Sequence, residues 1–494
     1  MKKIKKMLFF SLIVIFTASC DDAIEIVQDG EINNETSFKT VANLRSYLNG
    51  DIYGRVDIGN EIAFTSIFTD EVGVGPSNGG QALELHRYFF NANDGYAEAI
   101  WLNNYTIINR VNRLIDVSNL VVTNNATDEA EKQSILAEAR TLRALAYLKL
   151  MTFYSEDMSD DNALGVLLLD FVPTIDTKLP RVANSQIYNL MESDLLFAEN
   201  NLSSSAVNYK YATQNLVNAI RARMYLYRKN YVLAKQYAEE VINSSGLSLS
   251  STAQYTQMWR DLSQGEVIFA ASRPSAGAWS NIASNFFFNT TTATGGAFLD
   301  MGRNLFNELS SVSGDIRRTA FVDGTSTVDA TYLTNPNYIN SDVLVIDKYP
   351  GKASQPLRND LKLFRLSEMY FILAECEVGG ATPNLVQAAT YIQAIRTARN
   401  TVAQPLPVYG SAQAAWADIL LERRKELCFE GHRYIDIKRL GALANTSIDR
   451  NITDDIINST PLTLPVTDYR FTFPIPQSEI AGNLQLQQQQ NTGY

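Results

Sequence analysis

The sequence predicts a mainly α fold, built of about four tetratricopeptide-like helical hairpins with long irregular loop insertions and little β. Three observations predict it. Apolar residues recur at helical spacing in several segments, and one pair of such segments is joined by a two-residue turn with small residues where the helices would cross. The stretches between them are long and rich in Gly, Ser, Thr and Asn.

In chain order, the first element lies outside the fold. Met1-Lys-Lys-Ile-Lys-Lys-Met is followed by an apolar run from Leu8 to Phe16 and by Thr17-Ala18-Ser19-Cys20. A basic start, a short apolar run and small residues before a break describe an export signal. The run is shorter than the roughly 20 residues a bilayer span needs. Cys20 sits where a bacterial lipoprotein is cut and acylated, so residues 1–19 read as a lipoprotein signal peptide and Cys20 as the lipidation site. Residues 20–40 read as the acylated cysteine and an acidic tether, 41–260 as an N-terminal half and 261–494 as a C-terminal half of one compact fold.

Within that fold, Trp101–Val117 leading into Ile135–Tyr154 reads as one hairpin. From Ala219 to Asn243 the pattern is clearest: Ala222 and Tyr225 lie on one helix, Lys229-Asn230 turns, and Tyr231, Ala234, Ala238 and Val241 follow on the second. Leu366–Arg399 repeats the scheme, with Ala374 on its first helix and Ala388, Ile392 and Ile395 on its second, and a fourth hairpin begins near Trp416. Asp70 to Gly95 and Arg273 to about Asn340 read as long irregular loops, of a length that is usually functional or disordered. The Gln-rich stretch Leu484–Tyr494 reads as surface-bound coil.

Composition narrows the function. Formal charge is −11, and removing residues 1–19 takes away four lysines and no acid, leaving −15. That sign excludes nucleic acid, whose phosphates demand basic patches. Cys376 and Cys428, among apolar residues in helical patterns, read as buried thiols. Two histidines far apart, no His-Glu-x-x-His, no zinc-ligand spacing, no phosphate loop and no Gly-x-Ser-x-Gly leave no motif for metal, cofactor or nucleophilic chemistry. Gly73-x-Gly75-x-x-Asn78 lacks a third glycine and a following helical pattern, so it is no dinucleotide site. Glu422, Glu426 and Glu430 stand four apart, but Arg423, Arg424, Lys425 and Arg433 interleave them, which reads as a charged helical face and not as a catalytic pair. The chain therefore reads as a non-enzyme with no cofactor and no metal.

The segment Leu421-Glu-Arg-Arg-Lys-Glu-Leu-Cys-Phe-Glu-Gly-His-Arg-Tyr-Ile-Asp-Ile-Lys-Arg-Leu-Gly441 closely resembles the signature helix of the SusD/RagB family. Ala137–Tyr147, Phe364–Glu375 and Phe473–Ile480 with the terminal Gly493-Tyr494 resemble further family segments in the expected order. These are surface glycan- and nutrient-binding lipoproteins of the Bacteroidetes. The resemblance implies a single helical fold anchored by lipid in the outer membrane, facing the cell exterior. It also implies a partner, a SusC-like TonB-dependent transporter on which the protein sits as a lid. The repeats then dock on the transporter, while loops hold the ligand. Arg423, Glu426, Glu430, Arg433 and Asp436 match signature positions read as fold-holding. Asp21 directly after Cys20 resembles the acidic surface-export signal of such lipoproteins.

A glycan offers C–H faces that pack on aromatic rings and hydroxyls that suit amide, carboxylate or guanidinium partners. The long loops carry both kinds of group: Trp279 and Phe286–Phe288 with Asn281, Asn285 and Arg303, and Tyr88 with Asp70, Asn78 and Arg87. Trp279 is the leading platform candidate, with Phe287 beside it. A buried strand is an equal reading of Phe286–Phe288. A peptide or another nutrient is the alternative cargo, and a surface glycoside hydrolase or a protein scaffold are further alternatives.

Overall fold

The computed structural model describes residues 38–494 except 76, 204–206, 275–297, 335–341, 353–354, 357 and 456–460. The predicted signal peptide, Cys20 and most of the tether lie outside the described residues.

Helices dominate, and four antiparallel pairs correspond to the predicted hairpins: Gly95–Ser118 with Ala126–Tyr154, Gln214–Tyr227 with Tyr231–Ser244, Leu366–Gly379 with Leu385–Arg399, and Ala412–Leu427 with Arg433–Ala444. A further helix, Asn184–Asn201, packs on Ala126–Tyr154. Six of the eight hairpin helices begin where a side chain satisfies an otherwise orphaned N–H; Leu366–Gly379 and Arg433–Ala444 have no side-chain cap. Asp94, Asn125, Thr213, Asn230, Asn384 and Ser411 all cap in this way. Ala219, Ala222, Ala234 and Ala238 are fully buried where the second pair crosses. Hairpins also stack on each other: Tyr231–Ser244 lies against Leu366–Gly379. A Cβ on Gly379 would meet the Tyr231 ring at 2.4 Å, so only glycine permits that approach.

The strands are short and join distant parts of the chain. Val72–Val74 pairs antiparallel with Leu299–Met301, and Val267–Ala271 with Leu361–Arg365. The first pairing ties the Asp70–Gly95 stretch to the C-terminal half.

Two expectations are corrected. Glu422, Glu426 and Glu430 do share a face, but that face is buried. Arg365 binds Glu266 and Glu426 at 2.8 Å each and Glu430 at 2.7 Å. Arg399 binds Glu266 at 2.7 Å and Glu426 at 2.9 Å, while Arg317 reaches Glu422 at 2.7 Å and Glu426 at 3.4 Å. Lys348 donates to Glu430 and to the carbonyls of Glu426 and Cys428. Burial opposes ionisation, but Arg399 and Arg365 still hold the Glu426 carboxyl well below the usual carboxylate range.

The Gln-rich tail is bound to the surface, but Leu484–Gln489 forms a 3-10 helix in place of coil. Leu486 is fully buried, and Asn491 donates to the carbonyls of Tyr154 and Phe473. Arg181 grips the Gln489 carbonyl and the Asn491 side chain. Cys376 and Cys428 are free, buried thiols as expected, and burial pushes Cys428 up to about 12.

Breaking a buried ion pair leaves the surviving charges uncompensated, at about 3–5 kcal/mol. Glu426→Gln is therefore expected to lower unfolding free energy by roughly that amount in urea titration. Glu131→Gln, which touches only the exposed Arg45–Glu131 pair, should leave the midpoint nearly unmoved.

Candidate functional site

The Asp70–Gly95 stretch builds a cleft above the core. Its first fixed point is Asp70, fully inside the protein. Arg433 clasps both carboxylate oxygens at 2.8 Å, and the Asp449 N–H adds a third bond at 2.9 Å. Burial alone would raise this carboxyl, but Arg424 and Arg433 hold it well below the usual range. Asp70 is thus a structural anchor and has no atom left for a ligand.

Asn78 closes the next turn. Its Oδ1 accepts the Gly80 N–H at 2.9 Å, and its Nδ2 donates to the carbonyls of Gln81 and Phe298, both at 2.9 Å. Gly79 and Gly80 take φ of 63° and 96°, which suits glycine. Ala82, at φ 56°, then starts the short helix Leu83–His86.

Tyr88 ends that turn at φ 64°, a left-handed conformation costly for an aromatic residue. Its ring is only 3% exposed. It packs edge-on against Phe68 at 5.2 Å, with the Arg450 guanidinium 4.4 Å above it. Arg470 donates to the Tyr88 carbonyl at 2.8 Å. These contacts hold the strained turn in place, and the turn alternates its three aromatics. Tyr88 points in, Phe89 points out with 68% of its surface exposed, and Phe90 points in against Phe64 and Phe473.

Phe89 stands at the edge of an open cleft of about 710 Å³, lined by Asn60, Glu84, Asn91, Asn93, Asp94 and Tyr96 among others. Asn91 uses its Oδ1 on the Asn93 N–H at 2.9 Å, which leaves its amide N–H₂ toward solvent. Asp94 accepts the N–H groups of Tyr96 and Ala97 as the N-cap of Gly95–Ser118, and burial raises its carboxyl. The Glu84 side chain is exposed and makes no hydrogen bond or ion pair among the described residues. From below, Gln477 donates to the Ala92 carbonyl at 2.8 Å and braces the loop.

The structure separates the predicted site residues. Trp279, Asn281, Asn285 and Phe287 lie outside the described residues. Arg303 is buried, bound to Asp342 at 2.6 Å and stacked 3.8 Å from the Tyr332 ring, so it braces a loop instead of facing solvent. Tyr88, Asp70 and Asn78 shape the cleft from beneath. Of the three loop aromatics that the sequence suggests are exposed, Tyr88, Phe89 and Phe90, only Phe89 is, and its companions Asn60, Glu84, Asn91 and Asn93 were not singled out from sequence. The legible clue was the in-out alternation available to three consecutive aromatics. Among the described residues there is no cluster of three or more His, Cys, Asp or Glu placed to hold a metal ion. None of the described helices is long and apolar enough to cross a membrane.

The fold is thus a helical-repeat scaffold that carries an exposed ring, amides and carboxylates around an open cleft. Known proteins agree in architecture. The family model described as SusD family matches residues 275–494, and one described as starch-binding associating with outer membrane matches residues 30–226. The chain belongs to the SusD family. SusD-like protein P2 of Formosa agariphila is 23% identical over 480 residues, spanning 89% of this chain and 91% of its own. Among solved structures, a SusD superfamily protein from Bacteroides vulgatus matches with TM-score 0.75 at 20% identity, covering 92% of this chain and 100% of its own. Surface glycan-binding protein A from Bacteroides fluxus matches with TM-score 0.70 at 20% identity, over 92% and 100%.

Glu71, next to the Asp70 anchor, gives a test of the buried frame. Burial pushes its carboxyl from 4.5 up to about 7. Between those values the folded protein holds a proton that the unfolded chain has released, so this group lowers stability as pH rises through that window. Glu71→Gln should remove that loss. Its thermal midpoint relative to the parent is expected to climb from pH 5 to pH 8, and a constant difference would contradict the assignment.

Proposed function

We propose that this chain is an outer-membrane lipoprotein, anchored through Cys20 and facing the cell exterior, that captures nutrient glycans and acts as the lid of a SusC-like TonB-dependent importer. The observation that carries the reading is the outward Phe89 ring beside Asn60, Asn91 and Asn93 in an open cleft. A sugar ring lays its C–H face on such an aromatic, and planar amides offer a donor and an acceptor to neighbouring hydroxyls. Family membership supports the reading, as do the printed names of relatives: one is a surface glycan-binding protein and another a SusD-like carbohydrate binding protein.

On this reading the protein binds without chemistry. The helical pairs give a rigid base and a docking face, and the cleft supplies reversible capture. A polymer engages such a site repeatedly, so modest affinity suffices. Closure over the transporter is then a hinge motion that bound ligand favours.

Phe89→Ala is expected to weaken binding to a retained polysaccharide about tenfold, as removal of a single ring platform should, without moving the thermal midpoint. Tyr88→Ala should instead cost about 3–5 kcal/mol of stability, like other large buried aromatic deletions. Affinity electrophoresis beside thermal melts reads both. Silence of the parent protein against every polysaccharide in a broad panel would end the glycan reading. Cys20→Ala should shift the protein out of the outer-membrane fraction.

A further inference from the structure

The lining of the cleft carries charge of one sign only. Glu84 and Asp94 are carboxylates, Asn60, Asn91 and Asn93 are neutral amides, and among the described residues no Lys, Arg or His contributes to the wall. Nearby cations are turned elsewhere. Arg450 donates to the carbonyls of Ile67, Phe68, Thr69 and His86 at the end of the Gly59–Phe68 helix, with its ring contact on Tyr88. Arg470 is paired with Asp468 at 2.7 Å. Arg87, at the end of the Leu83–His86 helix, does not line the cleft. His86 is buried, and burial depresses its basicity well below the usual range, so it adds no positive charge.

An anionic ligand in this cleft would meet two carboxylates with no cation to compensate. Each ligand charge would lose water and gain repulsion. Asp94 cannot turn away, because its Oδ1 is fixed on two backbone N–H groups. The chain without residues 1–19 carries −15, so repulsion also acts during approach. A neutral sugar suffers neither effect. Its hydroxyls can donate to the same two carboxylates, and hydrogen bonds to ionised acceptors are the stronger kind.

We propose that the Phe89 cleft selects uncharged glycans and discriminates against uronate- and sulfate-bearing ones, with Glu84 and Asp94 as the discriminating groups. This rests on the glycan-binding reading above.

The test uses the full mature protein and a panel of neutral polysaccharides, each beside its carboxymethylated and sulfated derivative, in affinity electrophoresis and calorimetry. The expected result is that polymers bound are neutral, and that carboxymethylation of a bound polymer weakens it by at least about tenfold at low salt, with the gap narrowing at high salt. The double variant Glu84→Gln/Asp94→Asn keeps a capping side chain at position 94. It should shrink the neutral-to-charged affinity ratio to about threefold or less, which separates charge from added bulk. If derivatives bind as tightly as their parents, if only anionic polymers bind, or if the double variant leaves the ratio unchanged, charge selection is overturned while glycan capture stands. If no polymer of either kind binds, the glycan reading itself falls, and charge selection falls with it.

Discussion

Everything above the core depends on a set of charges that water never reaches. Glu426 lies between Arg365 and Arg399 and within reach of Arg317, and Glu266, Glu422 and Glu430 complete the balance. Such groups are tolerable in a low-dielectric interior only if each is met by an opposite charge and its remaining atoms are hydrogen-bonded. The requirement is geometric as much as energetic. Arg365 comes from the end of a core strand, Arg399 from the end of the third hairpin and Arg317 from a short helix, so the network locks three distant parts of the chain onto one helix.

That lock extends to the surface. Four residues beyond Glu426, Glu430 takes the other arm of Arg365, and the chain turns at Gly431, φ 86°, into the helix Arg433–Ala444. Arg433 on its first turn grips Asp70, and Glu71 accepts the Phe429 N–H at 3.2 Å. The signature segment and the start of the cleft loop are therefore one rigid unit. From that fixed point the loop can hold Tyr88 in a left-handed conformation, because buried contacts on its ring and carbonyl offset the backbone strain. The strain is useful only through its consequence, the outward Phe89.

The hairpins could be read in the sequence because their determinants are local. Helical spacing, small residues at crossings and a polar turn are all visible within about thirty residues, and the order of signature segments adds the overall topology. The charged face shows where local reading stops. A spacing of four puts Glu422, Glu426 and Glu430 on one side of a helix, but whether that side meets water is decided by Arg317, Arg365 and Arg399, up to 109 residues away in the chain. The cleft was harder still. Asp70 and Asn78 have the residue types of sugar ligands, and tertiary contacts use those same groups to hold the loop. Tyr88, Phe89 and Phe90 are chemically alike, and a single φ decides which one faces out.

The same geometry limits how tightly the cleft can hold anything. One exposed ring and a few solvated amides in an open cleft desolvate little of a ligand, so each contact exchanges a bond to water for a bond to protein at small net gain. The rigid frame recovers part of this, since a loop pinned at Asp70, Tyr88 and Ala92 loses little further entropy on binding. Shallow capture with rapid release suits the proposed role of a tethered protein handling a polymer, because repeated engagement replaces residence time. It also assigns the specificity to electrostatics more than to depth. On the reading proposed above, with so little buried contact, the sign of the charge around the ring is the strongest filter the cleft possesses, and Glu84 and Asp94 set that sign.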